Sequence, residues 1–103
     1  MAQAIYSQDL PGQADLRGRL RQMHLDYIRQ QRDLVLYSGG VFDTEGNICG
    51  GIIVLNVATK EEVDDFIAED PFTLGGLQQR VEIIRTYTAC LAGEIVAGKP
   101  NLI

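Results

Sequence analysis

The stretch Glu61–Gly76 reads EEVDDFIAEDPFTLGG, and it decides the fold that we expect for this chain. Its apolar residues share one helical face, at the three- and four-residue spacing of an amphipathic helix: Val63, Phe66 and Ile67. Asp70 continues this apolar face, where an unpaired carboxylate is costly. Because Pro71 disfavours helical geometry at the preceding residue, we predict that the helix ends at Asp70 and that its carboxylate turns inward.

The chain contains a single histidine, His24, on a helix predicted over residues 13–31. On a wheel of 100° per residue, His24 falls inside an apolar arc with these residues: Leu16, Leu20, Met23, Tyr27 and Ile28. We therefore predict that His24 points at the core and pairs with Asp70. The alternative is a core histidine bonded to the backbone, to Tyr27 or to Tyr37.

Asp70 also has an alternative role as the N-cap of a short helical turn that begins at Pro71. The two roles are compatible, since one carboxylate oxygen could cap the turn while the other accepts a hydrogen bond from His24.

Length and composition limit the fold and the partners. The 103 residues suffice for one domain, and 46% hydrophobic with 22% charged residues is ordinary for a soluble globular protein. A net charge of −5 without a basic stripe argues against nucleic acid as a partner. No apolar run approaches the roughly 20 residues that span a bilayer, and signal-peptide features are absent. We expect a cytoplasmic protein that does not bind membranes.

The remaining patterns predict the order strand, helix, strand, strand, helix, strand. The predicted strands cover residues 2–8, 33–41, 48–57 and 80–89. Thr59 and Glu62 have the spacing of a capping box that opens the second helix. With right-handed crossovers, these elements form an α+β ferredoxin-like domain, whose antiparallel sheet has the order 4-1-3-2 and carries both helices on one face.

This topology leaves the second sheet face bare and places the two cysteines far apart. Because so apolar a chain should not leave that face in water, we expect a partner sheet and a homodimer. Cys49 and Cys90 fall at opposite ends of the sheet, so we expect buried, reduced thiols without an intrachain disulfide. One histidine and two separated cysteines do not form a metal-ligand cluster, and we expect neither a metal nor a cofactor.

Four further residues are candidates for substrate binding. Ser38 and Gly39 end the second strand, where glycine lets a ligand approach the backbone and the serine hydroxyl could donate to a substrate oxygen. The alternative there is a bulge entering the hairpin. Arg85 alternates with apolar residues of the last strand and could bind a substrate carboxylate or form a salt bridge across a dimer. Tyr6 on the first strand is the fourth candidate for substrate binding.

The chain resembles YCII-related proteins over roughly residues 2–88. The residues that carry the resemblance are AIYSQD at 4–9, MHLDYI at 23–28, LVLYSGG at 34–40 and FIAEDPF at 66–72. The resemblance implies a single domain over residues 1–103 that pairs into a dimeric α/β barrel, with residues 89–103 as a C-terminal extension. It also implies an active site around a His–Asp pair, which matches His24 and Asp70. Relatives include a chloromuconolactone dehalogenase, and muconolactone isomerases share the barrel.

We therefore expect a small cofactor-independent enzyme that acts on an organic acid or lactone in an isomerase-, lyase- or dehalogenase-like reaction. His24 would move a proton next to a carbonyl group, and Asp70 would orient the imidazole. Ser38 or backbone amides near Gly39 would hold the oxyanion. The alternative is a binding or accessory module that uses the same pocket without turnover. A purely structural dimer would have no pocket.

Overall fold

A computed structural model describes residues 2–98 of the chain. The elements are β1 (Ala2–Asp9), α1 (Ala14–Gln30), β2 (Val35–Phe42), β3 (Ile48–Leu55), α2 (Lys60–Glu69), α3 (Pro71–Leu74), β4 (Gln78–Thr86), β5 (Cys90–Leu91) and β6 (Glu94–Ile95). Within this described range, none of the helices combines the length and the apolar character needed to cross a membrane.

The four long strands form one antiparallel sheet in the order β2-β3-β1-β4, which is the predicted order read from the opposite edge. Ile5 of β1 stands beside Ile53 of β3 and Ile83 of β4, so these three side chains share one face. Tyr27 of α1 and Phe66 of α2 pack against this face in a single core cluster. The predicted ferredoxin-like fold, with both helices on one face, is therefore confirmed.

The start and the end of α2 follow from its sequence. Thr59 Oγ1 accepts a hydrogen bond from the backbone N–H of Glu62, and the Glu62 carboxylate accepts one from the backbone N–H of Thr59. This reciprocal arrangement is the predicted capping box. The helix ends at Glu69 because Asp70, with φ −66° and ψ 126°, is extended ahead of Pro71.

The second sheet face carries apolar side chains that the single chain leaves exposed. Tyr6 pairs with Ile52 on this face, and Tyr37 and Ile84 lie on the flanking strands. Ile84 is 56% exposed, and Tyr37 and Ile52 are also exposed. The bare face that the topology predicts is thus present.

The segment after β4, which the sequence patterns left unassigned, contains a small hairpin of β5 and β6. Ala92 and Gly93 form its two-residue loop with φ of 51° and 82°, the left-handed conformation typical of such tight hairpins. Strands of two residues are too short to show periodicity, which explains why the sequence did not predict this hairpin. The rest of the predicted extension, residues 99–103, lies outside the described residues.

Cys49 and Cys90 are free thiols. Cys49 is half-buried at the start of β3, whereas Cys90 is exposed in β5. The expectation of a buried thiol is therefore wrong for Cys90, because the β5–β6 hairpin is largely exposed to solvent.

Candidate active site

A cavity of about 400 Å³ lies between α1 and one end of the sheet. Its walls come from α1, from the adjoining ends of β1, β2 and β3, and from the junction of α2 with α3. This volume falls within the range of roughly 300–1,000 Å³ that small-molecule sites occupy.

His24 and Asp70 meet at the wall of this cavity. The His24 Nδ1 atom lies 2.7 Å from the Asp70 Oδ1 atom, and both side chains are buried. A carboxylate at this distance favours the tautomer in which Nδ1 carries the proton and donates a hydrogen bond to the carboxylate. Nε2 is then the nitrogen that can accept a proton.

The position of Asp70 is fixed by the helix junction. Its Oδ1 atom also accepts a hydrogen bond of 3.0 Å from the backbone N–H of Phe72, which caps α3. The cap and the contact with His24 therefore share one oxygen, and the predicted division between the two carboxylate oxygens is wrong. Pro71 at the first position of α3 needs no hydrogen-bond acceptor, so the cap serves the next residue.

The Phe72 ring stacks against one face of the His24 imidazole. The ring centroids of His24 and Phe72 lie 4.0 Å apart with an interplanar angle of 13°, which is a stacked arrangement. The guanidinium carbon of Arg17 lies 4.7 Å from the centroid of the same phenyl ring. The imidazole is thus restrained in its plane by a carboxylate and across its plane by an aromatic ring.

The tyrosines considered as alternative partners of His24 have other surroundings. The Tyr27 hydroxyl donates a hydrogen bond of 2.7 Å to the carbonyl oxygen of Phe66. Burial, together with two carboxylates at the end of α2, raises the pKa of Tyr27 to about 12, so this phenol remains a donor at neutral pH. Tyr37 lies on the opposite sheet face, beside Val54.

Arg17 is a buried cation in the cavity wall that the sequence analysis did not single out. Its Nη2 atom donates a hydrogen bond of 2.6 Å to the carbonyl oxygen of Gly50, and its Nε atom lies 3.3 Å from Asp9 Oδ2. Among the described residues Nε has no aligned hydrogen-bond partner, so the contact with Asp9 is an ion pair. Burial raises the pKa of the Asp9 carboxyl group, and the charge of Arg17 partly offsets this effect.

The signal for Arg17 was its spacing from His24. The two residues are seven positions apart on α1 and therefore lie on the same helical face. An arginine among the apolar residues of a helix indicates that a charged or polar partner lies against it. Here the partner is Asp9, at the end of β1.

The sheet supplies small and polar groups to the cavity. Ser38 stands beside the core residue Ile53 and therefore faces the helices, and the backbone of Gly39 also lines the cavity. A Cβ atom on Gly51 would lie 3.8 Å from both Ser7 Oγ and Arg17 Nη2, so glycine keeps this part of the cavity open. Ser7, also missed from the sequence, shares the helix-facing side of β1 with Ile5.

The pairing of β2 with β3 is irregular at two places, between Val35 and Tyr37 and between Val41 and Phe42. The second of these is the one at the hairpin end of β2. The bulge considered as an alternative therefore lies beyond Ser38 and Gly39.

The structure does not bring Tyr6 and Arg85 to this cavity. Tyr6 faces the opposite side of the sheet, because alternate residues of a strand point to opposite faces. Arg85 is exposed and stands beside Gln3, which is four residues along β1 from Ser7 and thus roughly 13 Å from the cavity end of the sheet. Neither residue lines this cavity, and the substrate contacts predicted for them stay predictions.

The described residues contain no group of three histidine, cysteine, aspartate or glutamate side chains placed to hold a metal ion.

Comparison with known proteins identifies the family of this chain. A profile described as the YCII-related domain matches residues 1–86. The chain belongs to the YCII-related family. No curated protein matches the sequence.

Two solved structures share the fold of this YCII-related protein. The 5-chloro-2-hydroxyhydroquinone dehydrochlorinase from Burkholderia phenoliruptrix AC1100, in complex with 2,5-dihydroxybenzoquinone, is similar with a TM-score of 0.79 and 24% identity, over 84% of this chain and 94% of that chain. An antibiotic biosynthesis monooxygenase is similar with a TM-score of 0.54 and 16% identity, over 85% of this chain and 100% of that chain.

Proposed function

We propose that this YCII-related protein is a cofactor-independent enzyme that moves a proton at a carbon next to a carbonyl group of a small organic acid, lactone or hydroxyquinone. The observation that carries the proposal is the 2.7 Å contact between His24 Nδ1 and Asp70 Oδ1 at the wall of a cavity of about 400 Å³. An imidazole oriented by a buried carboxylate, with its second nitrogen available to a ligand, suits a general base.

The chemistry follows from this orientation. Nε2 of His24 takes a proton from the substrate carbon, and the electron pair of the broken C–H bond moves onto the carbonyl oxygen as an enolate. The Asp70 carboxylate stabilises the imidazolium that forms. Return of the proton to another carbon gives an isomer. In the elimination, the electron pair of the enolate forms a new C=C bond while chloride leaves the neighbouring carbon with the electron pair of its C–Cl bond. His24 then releases its proton to water, and the net result is loss of hydrogen chloride.

The enolate oxygen requires hydrogen-bond donors. The Ser38 hydroxyl lies in the cavity wall, and the Ser7 hydroxyl lies on the neighbouring part of the sheet. In the proposed reaction one of these hydroxyls, or a backbone N–H near Gly39, donates to the developing oxyanion.

The dehydrochlorinase suggests which substrates should be tested first. Its name describes removal of hydrogen chloride, and its bound ligand is a small hydroxylated quinone. We therefore expect chlorinated hydroxyhydroquinones and chlorinated lactones to be informative substrates for this protein.

The experiment measures proton transfer and elimination separately. The protein is incubated in D2O with 5-chloro-2-hydroxyhydroquinone or a chlorinated lactone, and deuterium incorporation is followed by NMR while released chloride is measured. We expect catalysis by the wild type and a loss of roughly 10²–10⁴-fold in His24→Gln, the usual contribution of a general base. Met23→Gln is the matched control, because Met23 is 52% exposed on the same helix.

Two results would contradict the proposal. Ligand binding without exchange or chloride release would favour the binding or accessory module that uses the same cavity. Catalysis that survives in His24→Gln at the level of Met23→Gln would remove His24 from the reaction.

We also infer that the protein forms a homodimer through the open sheet face. Tyr37, Ile52 and Ile84 are exposed on this face, and a second copy would remove their side chains from water. Light scattering coupled to size exclusion should show a dimer for the wild type and a monomer for Ile84→Lys. Met23→Lys, which places the same charge at an equally exposed position on α1, should remain dimeric. A monomeric wild type, or a dimeric Ile84→Lys variant, would contradict this assembly.

A further inference from the structure

We propose that the cavity selects ligands that carry a negatively charged oxygen, and that Arg21 is the residue that selects them. The inference rests on the proposed function in one respect, since it treats the cavity as the substrate site. It narrows the proposed substrates from organic acids, lactones and hydroxyquinones to acids and ionised hydroxyquinones.

The charges around the cavity differ from those of the whole chain. The chain has 14 acidic residues against nine lysines and arginines, a net charge of −5. The cavity lacks this acidic excess, because Arg17 and Arg21 line it together with the carboxylate of Asp70, and Asp9 pairs with Arg17. Asp70 is already engaged by His24. Because Asp9 and Asp70 each have a partner within the protein, the charge of Arg21 is the one that can attract an anion to this concave site.

Arg17 and Arg21 differ in how much of their charge is available. Arg17 is buried, contacts Asp9 and donates to the carbonyl oxygen of Gly50, so protein groups already compensate part of its charge. Arg21 is exposed at the cavity and, among residues 2–98, has neither an ion pair nor a hydrogen bond. Arg21 is therefore the cation that a ligand can engage without breaking an existing contact.

The spacing on α1 connects this cation to the proposed general base. Arg21 follows Arg17 by four positions and precedes His24 by three, so the three side chains share one face of the helix. With a rise of 1.5 Å per residue, Arg21 and His24 are separated by roughly 4.5 Å along the helix axis. A small ligand whose reacting carbon lies at His24 can therefore also reach Arg21 with a charged oxygen.

This geometry suits small planar anions. A carboxylate accepts paired hydrogen bonds from a guanidinium group, and an ionised hydroxyquinone offers neighbouring oxygens in a similar plane. An uncharged lactone gains nothing from Arg21. The two anionic classes share the chemistry that Arg21 recognises and can be separated by experiment.

The test compares binding by two variants that lose the same charge. Arg21→Gln removes the cation at the cavity, and Arg19→Gln removes one from the same helix outside the cavity. Calorimetric or NMR titrations would use benzoate, 2,5-dihydroxybenzoquinone and uncharged γ-butyrolactone as probes. We expect Arg21→Gln to weaken binding of the preferred anion about 10-fold or more, and Arg19→Gln to leave the affinity unchanged. Added salt should weaken binding of the anion by the wild type.

The outcomes separate this inference from the proposed function. Tighter binding of benzoate identifies carboxylic acids as the preferred class, and tighter binding of 2,5-dihydroxybenzoquinone identifies ionised hydroxyquinones. Equal affinities of the two variants for both anions would overturn the inference, as would a wild type that binds neither. Binding that depends on Arg21 without proton exchange would leave the anion site standing while removing the proposed reaction. Proton exchange that is unchanged in Arg21→Gln would support the proposed reaction and overturn the role of Arg21.

Discussion

Replacing Asp70 with alanine should lower the free energy of unfolding by about 2–4 kcal/mol. The Asp70 Oδ1 atom caps α3 through the backbone N–H of Phe72, and loss of such a cap typically costs about 1 kcal/mol. The same oxygen is the partner of His24 Nδ1 in a buried contact of 2.7 Å. Its removal leaves a buried polar group without a partner, which costs a further 1–3 kcal/mol or so.

Urea denaturation at a fixed protein concentration measures this effect, with Asp64→Ala as the matched control. Asp64 pairs with Lys60 on the exposed surface of α2, where water and salt screen the interaction, so its loss should barely move the midpoint. Asp70→Asn keeps an oxygen of similar geometry and should fall between the two. If Asp70→Ala and Asp64→Ala unfold at the same midpoint, Asp70 does not stabilise the helix junction.

The junction around Asp70 also shows which features local sequence determines. The capping box at Thr59 and the bend ahead of Pro71 depend on residues within a few positions of each other, and both could be predicted. The inward direction of His24 follows from the apolar arc of one helix. The strand order follows from the element order and the handedness of the connections. Each of these predictions needed only neighbouring residues or a general rule of topology.

The remaining site features depend on contacts between distant parts of the chain. Arg17 is buried because Asp9 and the carbonyl oxygen of Gly50 receive its guanidinium group, and no local pattern reveals those partners. The direction of the Tyr6 side chain likewise depends on the whole strand. Tyr6 lies one residue from Ser7, but the alternation of β1 sends its side chain to the opposite face of the sheet. Strand alternation and register therefore decide which β1 residue reaches the cavity.

The paired glycines of β3 have opposite tolerances to an added methyl group, although they are adjacent in sequence. A Cβ atom on Gly50 would overlap the backbone carbonyl oxygen of Ser7 in the neighbouring strand, which cannot move without shifting β1. The carbonyl oxygen of Gly50 also accepts the hydrogen bond from Arg17. A displaced strand would therefore disturb the cavity wall as well as the sheet.

We expect Gly50→Ala to lower the free energy of unfolding by about 3 kcal/mol or more, since the clash involves backbone rather than a flexible side chain. The atom nearest to a Cβ on Gly51 is the backbone carbonyl oxygen of Gly39 at 3.3 Å, and the next two are side-chain atoms at 3.8 Å. This contact is tight but does not overlap as at Gly50, so Gly51→Ala should stay within about 1 kcal/mol of the wild type. Its methyl group projects into the cavity and should weaken binding of the preferred anion. Equal stability of the two variants would show that β1 and β3 are not packed this closely. Unchanged binding by folded Gly51→Ala would show that the ligand does not reach the sheet.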